Sequence, residues 1–190
     1  MVDKLYSSAA LGKEHPDFAI SWTQKVLNGP ELEIIPELPP GWQEGLVTNA
    51  MFDETLSHER GLRARVMFRR PCSESDSVSK WEHCYLLSVG HGIDGRTGRG
   101  HGGFSSLVLD HLTGTAAHRE NQRAEPPATA TMTVDYKAPV STPCVILARS
   151  WPIEISGRKI WLKGVLEDMN GRPYATAKAL FVNPREAPNL

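Results

Sequence analysis

The stretch His101-Gly102-Gly103-Phe104-Ser105-Ser106-Leu107-Val108-Leu109-Asp110 holds the residues best suited to chemistry. Two glycines at a helix start let a ligand approach the backbone closely and leave N–H groups pointing outward. Those donors, with the positive end of the helix dipole, suit an anion or a developing oxyanion. Asp110 lies nine residues past His101. At about 100° and 1.5 Å per residue, that separation is about two and a half turns, or about 13 Å along the axis at the opposite azimuth. One helix therefore cannot bring its own N-terminus and its own Asp110 to a single reacting carbon. Two antiparallel copies across a twofold axis can, each N-terminus facing the partner's aspartate. Between Leu109 and Leu112, an aspartate in the apolar stripe is costly unless it is paired or functional.

The elements around this stretch must position it. Asp17 can cap a short helix carrying Phe18, Ile20, Trp22, Val26 and Leu27, which Asn28-Gly29-Pro30 stops. Prolines 30, 36, 39 and 40 make residues 30–41 an extended connector without regular structure. Strand-like runs follow at about 46–53, 60–69 and 81–89. After the glycine-rich loop from Gly90 to Gly100, residues 102–117 have helical spacing, with Phe104, Leu107, Val108 and Leu112 on one stripe and Leu109 beside it. Polar and apolar residues alternate from Thr129 to Lys137, the signature of a half-buried strand. Further strands are expected at about 143–155, 159–168 and 173–182, separated by Ser156-Gly157 and by Asn170-Gly171, the latter a type I′ hairpin signal. A sheet of this kind must bury one face, and the helix at 102–117 is its natural filling.

His-Gly-Gly, six residues and then Asp on the central helix resembles the hotdog-fold thioesterase superfamily, in its phenylacetate-pathway-like and acyl-CoA thioesterase branch. The strand Thr129-Ala-Thr-Met-Thr-Val-Asp-Tyr136-Lys137-Ala-Pro139 is similar to that branch's strand after the helix, which typically ends Tyr-x-x-Pro. The match spans roughly residues 81–183, about half of the chain. The resemblance implies an α+β hotdog fold, an antiparallel sheet wrapped around the central helix at about 102–117. Residues 1–45 would be an N-terminal helical and extended extension, and 46–190 the hotdog domain.

The resemblance further implies hydrolysis of an acyl thioester of coenzyme A or of a carrier protein. The backbone N–H of Gly102 would polarise the thioester carbonyl, and Asp110 of the partner chain would act as general base or nucleophile. Thr129 would orient the attacking water, and His101 would position the thioester or stabilise the loop. Gly103, Arg96 and Arg99 would contact the substrate, the arginines meeting a coenzyme A phosphate. A homodimer is then required, and a homotetramer is also known in the family. No metal and no cofactor is expected beyond the coenzyme A of the substrate. Several members carry an Asn or Gln about six residues before the His, where this chain has Gly95 next to Asp94. The alternatives are a hotdog dehydratase or isomerase acting on a biosynthetic acyl or polyketide intermediate, and a catalytically silent acyl-binding dimer.

Other patterns are weaker. Gly98-x-Gly100-x-x-Gly103 formally matches a dinucleotide fingerprint, but antiparallel hairpins follow it instead of a βαβ unit. Ser77-Val-Ser-Lys80 lies in a polar loop without the accompanying motifs of its class, and no G-x-S-x-G occurs. The seven histidines form no ligand pair, although His111 and His118 are seven apart on the helix. Trp151 and Trp161 read as cross-strand packing or as the lining of an acyl pocket. With 40% hydrophobic and 23% charged residues in 190, the chain suits one globular domain. Its formal charge of -1 argues against nucleic acid or an anionic membrane as partner. No apolar run is long enough to span a bilayer, and the first residues lack a signal-peptide core. Three scattered cysteines suggest reduced thiols and a cytoplasmic protein.

Overall fold

The computed structural model describes residues 12–36, 49–121 and 125–185. A 3-10 turn at Pro16–Phe18 leads into helix α1 (Ser21–Leu27), which ends at Asn28. Among the described residues nine strands follow in chain order: β1 (Glu33–Ile34), β2 (Leu62–Pro71), β3 (Trp81–Val89), β4 (Asp94–Arg96), β5 (Arg99–Gly100), β6 (Ala128–Tyr136), β7 (Cys144–Ser156), β8 (Lys159–Glu167) and β9 (Pro173–Val182). The long helix α2 (Gly102–Asn121) stands between β5 and β6. Seven strands form one antiparallel sheet in the order β1-β2-β3-β7-β8-β9-β6, while β4 and β5 make a separate small hairpin. The hotdog arrangement expected from the sequence is present.

Helix α2 lies on the inner face of this sheet because its apolar stripe has nowhere else to go. Phe104, Val108, Leu109 and Leu112 pack against Tyr85, Leu87, Ile146, Ala148, Leu166 and Ala177. Farther along, Ala116 and Ala117 meet Ile160, Leu162, Ala179 and Phe181. Full burial of each large aliphatic side chain in this stripe contributes about 1.5–3 kcal/mol. Leu107, expected on the stripe, is only half-buried, and Leu109 takes its place.

Strand β3 is buried on both faces, so it lacks the alternation of a half-exposed strand. The reason is the N-terminal segment: Phe18 and Leu27 cover Phe68, Cys84, Leu86 and Leu147 on the outer face. Asp17 does not cap α1, whose N-cap is Ile20. Its carboxylate instead accepts from Arg63 (3.1 Å) and from the Ser88 hydroxyl (2.6 Å), tying the segment to β2 and β3.

Four further expectations are corrected. Within the connector expected to lack regular structure, Glu33 and Ile34 pair with Arg69 and Phe68 as the short edge strand β1. Residues 46–48 of the strand expected at 46–53 lie outside the described residues, as do Pro39 and Pro40 of the connector. Over Met51–Thr55 the chain forms a π-helical turn instead, closed by the Leu56 N–H donating to the Met51 carbonyl (2.9 Å). The Arg65 guanidinium donates to the Phe52 carbonyl and pairs with Asp53, so side-chain bonds replace a strand ladder there. The β8–β9 connection is not a type I′ turn, because Gly171 has φ +73° but Asn170 stays at negative φ. The Asp168 carboxylate accepts from the Asn170 and Arg172 N–H groups (2.8 and 2.9 Å) and holds a longer turn. Trp151 and Trp161 lie on the outer face of the sheet, since Lys163 and Trp161 alternate with the inward Leu162 and Ile160. There they face Arg149, Asp76 and Lys178, and line no acyl pocket beside α2.

Candidate active site

The start of α2 is built as an N-terminus open to a ligand. His101 is exposed, and the Gly103 N–H donates to its Nδ1 (2.8 Å), so the imidazole caps the first turn. In the neutral ring this places the remaining proton on Nε2. Among the described residues no acceptor engages the N–H of Gly102, the first residue of the helix. Gly103 is thus occupied by the cap, and Gly102 is the free donor of the pair.

Gly95 owes its lack of a side chain to this cap. A Cβ there would come 2.8 Å from His101 Cδ2 and 3.2 Å from its Cα. An amide at position 95 would require the imidazole to move, because the ring lies in the space a larger residue would take. The neighbouring Asp94 is engaged elsewhere: it accepts from the Thr142 hydroxyl and from the Gly98 N–H (2.8 Å). The Thr142 hydrogen bond above all holds its carboxyl below the usual carboxylate range. Asp94 therefore shapes the β4–β5 hairpin. Arg96 and Arg99 are cross-strand partners on that hairpin, both exposed and without an ion-pair partner among the described residues.

Asp110 sits about 12 Å farther along α2 from Gly102. It is half-buried on the flank of the helix, not inside the stripe of Leu109 and Leu112, because one residue turns about 100° away from its neighbour. Its Oδ1 accepts from the Thr129 hydroxyl at 2.9 Å. The structure thus joins Asp110 with Thr129 and keeps both away from Gly102 of the same chain.

Thr129 reaches the helix through a β-bulge. By simple alternation it would share a face with Thr131 and Thr133. The register to β9 slips between Thr129 and Thr131, so that Thr129, Met132, Val134 and Tyr136 oppose the inward Phe181, Ala179, Ala177 and Ala175. Thr131, Thr133 and Asp135 point outward. Among the described residues β6 is an edge strand, paired only with β9, and most of it is exposed, including Thr129. Two residues at the helix start carried no assignment from sequence reasoning. Tyr136 packs its ring against Gly102, and its hydroxyl lies 2.5 Å from Ser106 Oγ. Ser106, one turn past Gly102, and Tyr136, on the apolar side of the alternation with Met132 and Val134, were both recoverable signals.

Next to Asp110, His111 turns the other way into the core. It stacks on Phe52 at 4.1 Å and lies 5.8 Å from the Tyr85 ring. Burial, with the Arg65 charge nearby, lowers its pKa to about 4, so the imidazole is neutral at ordinary pH. Its Nε2 finds no hydrogen-bond partner among the described residues. No group of three His, Cys, Asp or Glu side chains that could hold a metal occurs among the described residues, and no described helix is long and apolar enough to cross a membrane.

Residues 97–172 match the model of the thioesterase superfamily. Over 98 residues the chain is 30% identical to the acyl-coenzyme A thioesterase THEM4 of Mus musculus, covering 51% of this chain and 41% of that protein. Among solved structures, a thioesterase superfamily protein matches 63% of this chain and 54% of its own at 23% identity and TM-score 0.52. The AziG protein of S. sahachiroi matches 55% of this chain and 85% of its own at 20% identity and TM-score 0.52. A phenylacetic acid degradation-related protein from Ralstonia eutropha matches 54% and 76% at 16% identity and TM-score 0.50. At these identities the structural likenesses speak for the fold. The chain spans about two fifths of the mouse relative and about half of the first structure.

Proposed function

We propose that this chain, whose residues 97–172 match the thioesterase superfamily model, hydrolyses an acyl thioester of coenzyme A or of a carrier protein at a site shared by two copies. The observation that carries the reading is the Thr129 hydroxyl bonded to Asp110, on an open flank of α2 that also ends in the unengaged Gly102 N–H. A hydrolase needs a base with a positioned water at one end and a carbonyl donor at the other. The Asp110 carboxylate and the Gly102 N–H would fill these two parts, but they stand about 12 Å apart in one chain.

A second copy closes that gap. The exposed, one-sided edge of β6 and the half-buried Ser106, Leu107 and Asp110 beside it favour a twofold partner laid along this strand. Gly102 of one chain then meets Asp110 and Thr129 of the other. The Gly102 N–H donates to the thioester oxygen, and Asp110 takes a proton from water held by Thr129. Water's oxygen bonds to the carbonyl carbon, the carbon–sulfur bond breaks, and the proton passes from Asp110 to the departing thiolate. Asp110 can equally attack the carbonyl itself, forming an anhydride that water opens. Exposed His101 Nε2–H offers a second donor, to the oxyanion or to the leaving sulfur, in the space over Gly95. Arg96 and Arg99 give the hairpin two free cations for a coenzyme A phosphate.

The test is thiol release from a panel of short, long and aromatic acyl-coenzyme A esters, wild type beside Asp110→Asn. The reading requires turnover that falls by about two or more orders of magnitude in the variant. Equal rates in both proteins would remove the role given to Asp110. Absence of release from every ester, with the esters nonetheless bound, would leave an acyl-binding dimer.

A further inference from the structure

Tyr136 closes β6 at the mouth of the site, and its ring is held there from two sides. A Cβ added to Gly102 would lie 3.2 Å from Tyr136 Cε1, 3.4 Å from Cζ and 3.7 Å from the hydroxyl, so the ring edge is packed on the glycine backbone. The hydroxyl is 2.5 Å from Ser106 Oγ, and the Ser106 hydroxyl donates to the Gly102 carbonyl (3.3 Å). With the single serine proton directed at that carbonyl, the phenol is the donor to Ser106. An aromatic ring that is 58% exposed would otherwise sample several rotamers. Here the ring is fixed against the first turn of α2 while one side stays open to solvent.

Resting on the assignment of Gly102 as carbonyl donor, we propose that Tyr136 is a specificity-determining residue: its pinned ring sets the width of the site beside the reacting carbonyl and selects acyl groups unbranched at the carbon next to the thioester. A carbonyl oxygen bound to the Gly102 N–H sits about 2.9 Å from that nitrogen. The adjoining acyl carbon must then pass the ring that borders the same glycine. Carbon atoms pack no closer than about 3.5–4 Å, so a straight chain lies along the ring, while a branched carbon directs one methyl into it. The phenolic proton is engaged by Ser106, so the side chain acts as a wall and not as a proton donor to the substrate. A hydrophobic contact of this kind discriminates by about 10–200-fold per methyl-sized group.

The experiment is calorimetric titration with ketone analogues of butyryl- and isobutyryl-coenzyme A in which a methylene replaces sulfur, so that binding is read without hydrolysis. Wild type should favour the straight-chain analogue by about tenfold or more. Tyr136→Ala should bring the two affinities close to equality, chiefly by improving the branched one. Tyr136→Phe, which retains the ring, should keep most of the preference, and Ser106→Ala should weaken it by freeing the ring. Equal affinities in wild type, or the same loss for both analogues in Tyr136→Ala, would overturn the proposal. Turnover of the matching thioesters is measured separately. Analogues bound with the stated preference while neither ester is hydrolysed would sink the hydrolase assignment and leave the wall standing. No binding of either analogue would overturn both.

Discussion

Replacing His111 by Phe should flatten the acid limb of the stability curve. In the folded chain the imidazole is stacked on Phe52 and tilted beside Tyr85, with a pKa of about 4. In the unfolded chain it titrates near 6.5. Because the folded pKa is the lower one, His111 destabilises nothing above pH about 6.5. The unfolded state binds the proton first as the pH falls, and stability is lost between about 6.5 and 4. The fall from about 6.5 to about 4 corresponds to about 3 kcal/mol, of which about 2 kcal/mol is already lost at pH 5. Phenylalanine fits the same stack and leaves no unpartnered nitrogen such as His111 Nε2. Urea unfolding at pH 7.5 and pH 5.0 measures the effect. The stability difference between variant and wild type should shift by about 2 kcal/mol in favour of the variant at the lower pH. Carboxylates that titrate in this window are common to both proteins and cancel in that difference. Parallel pH dependences in the two proteins would refute the reasoning, because the imidazole would then be protonated alike in folded and unfolded chains.

The other expectations concern the site. Thr129→Val removes the 2.9 Å hydrogen bond to Asp110 on an exposed strand, so turnover should fall about 10–100-fold while the melting temperature barely moves; comparing kcat with thermal unfolding separates the two. Gly95→Asn introduces a Cβ 2.8 Å from His101 Cδ2, so it should displace the ring, break the cap on Gly103 and cost about 0.5–2 kcal/mol, read by chemical unfolding; a gain in turnover would contradict the account. Arg96→Ala with Arg99→Ala should raise KM for acyl-coenzyme A and leave KM for the matching acyl-pantetheine unchanged, and salt should weaken binding less in the double variant than in wild type.

Much of the frame was legible because its strands follow the pattern of one buried face. The runs expected at 159–168 and 173–182 end within a residue of β8 and β9, and 81–89 coincides with β3 although both of its faces are covered. The cover over the outer face, Phe18 and Leu27 on Leu86 and Leu147, pairs residues more than fifty positions apart and leaves no local trace. The candidate chemistry was legible in part. Gly102 and Asp110 were separable by helix geometry alone, and the Thr129–Asp110 bond joins two residues of the expected set. What escaped was the bulge after Thr129. One extra residue moves Thr129 onto the face of Met132, Val134 and Tyr136, and no residue type in the run marks it. The helical turn at Met51–Thr55 escaped for a different reason, since a distant arginine side chain, Arg65, satisfies its backbone.

The shared site is tested most directly by mixing two inactive variants. Asp110→Asn removes the base, and Gly102→Pro removes the N–H donor while remaining compatible with the first position of a helix. Each alone should release thiol from an acyl-coenzyme A ester at no more than about a hundredth of the wild-type rate. After the two are unfolded together, refolded in equal amounts and allowed to pair, half of the dimers carry both variants and one intact site each. The mixture should regain about a quarter of wild-type turnover. A mixture that refolds into dimers and stays as inactive as its components would contradict a site composed of Gly102 from one chain and Asp110 from the other.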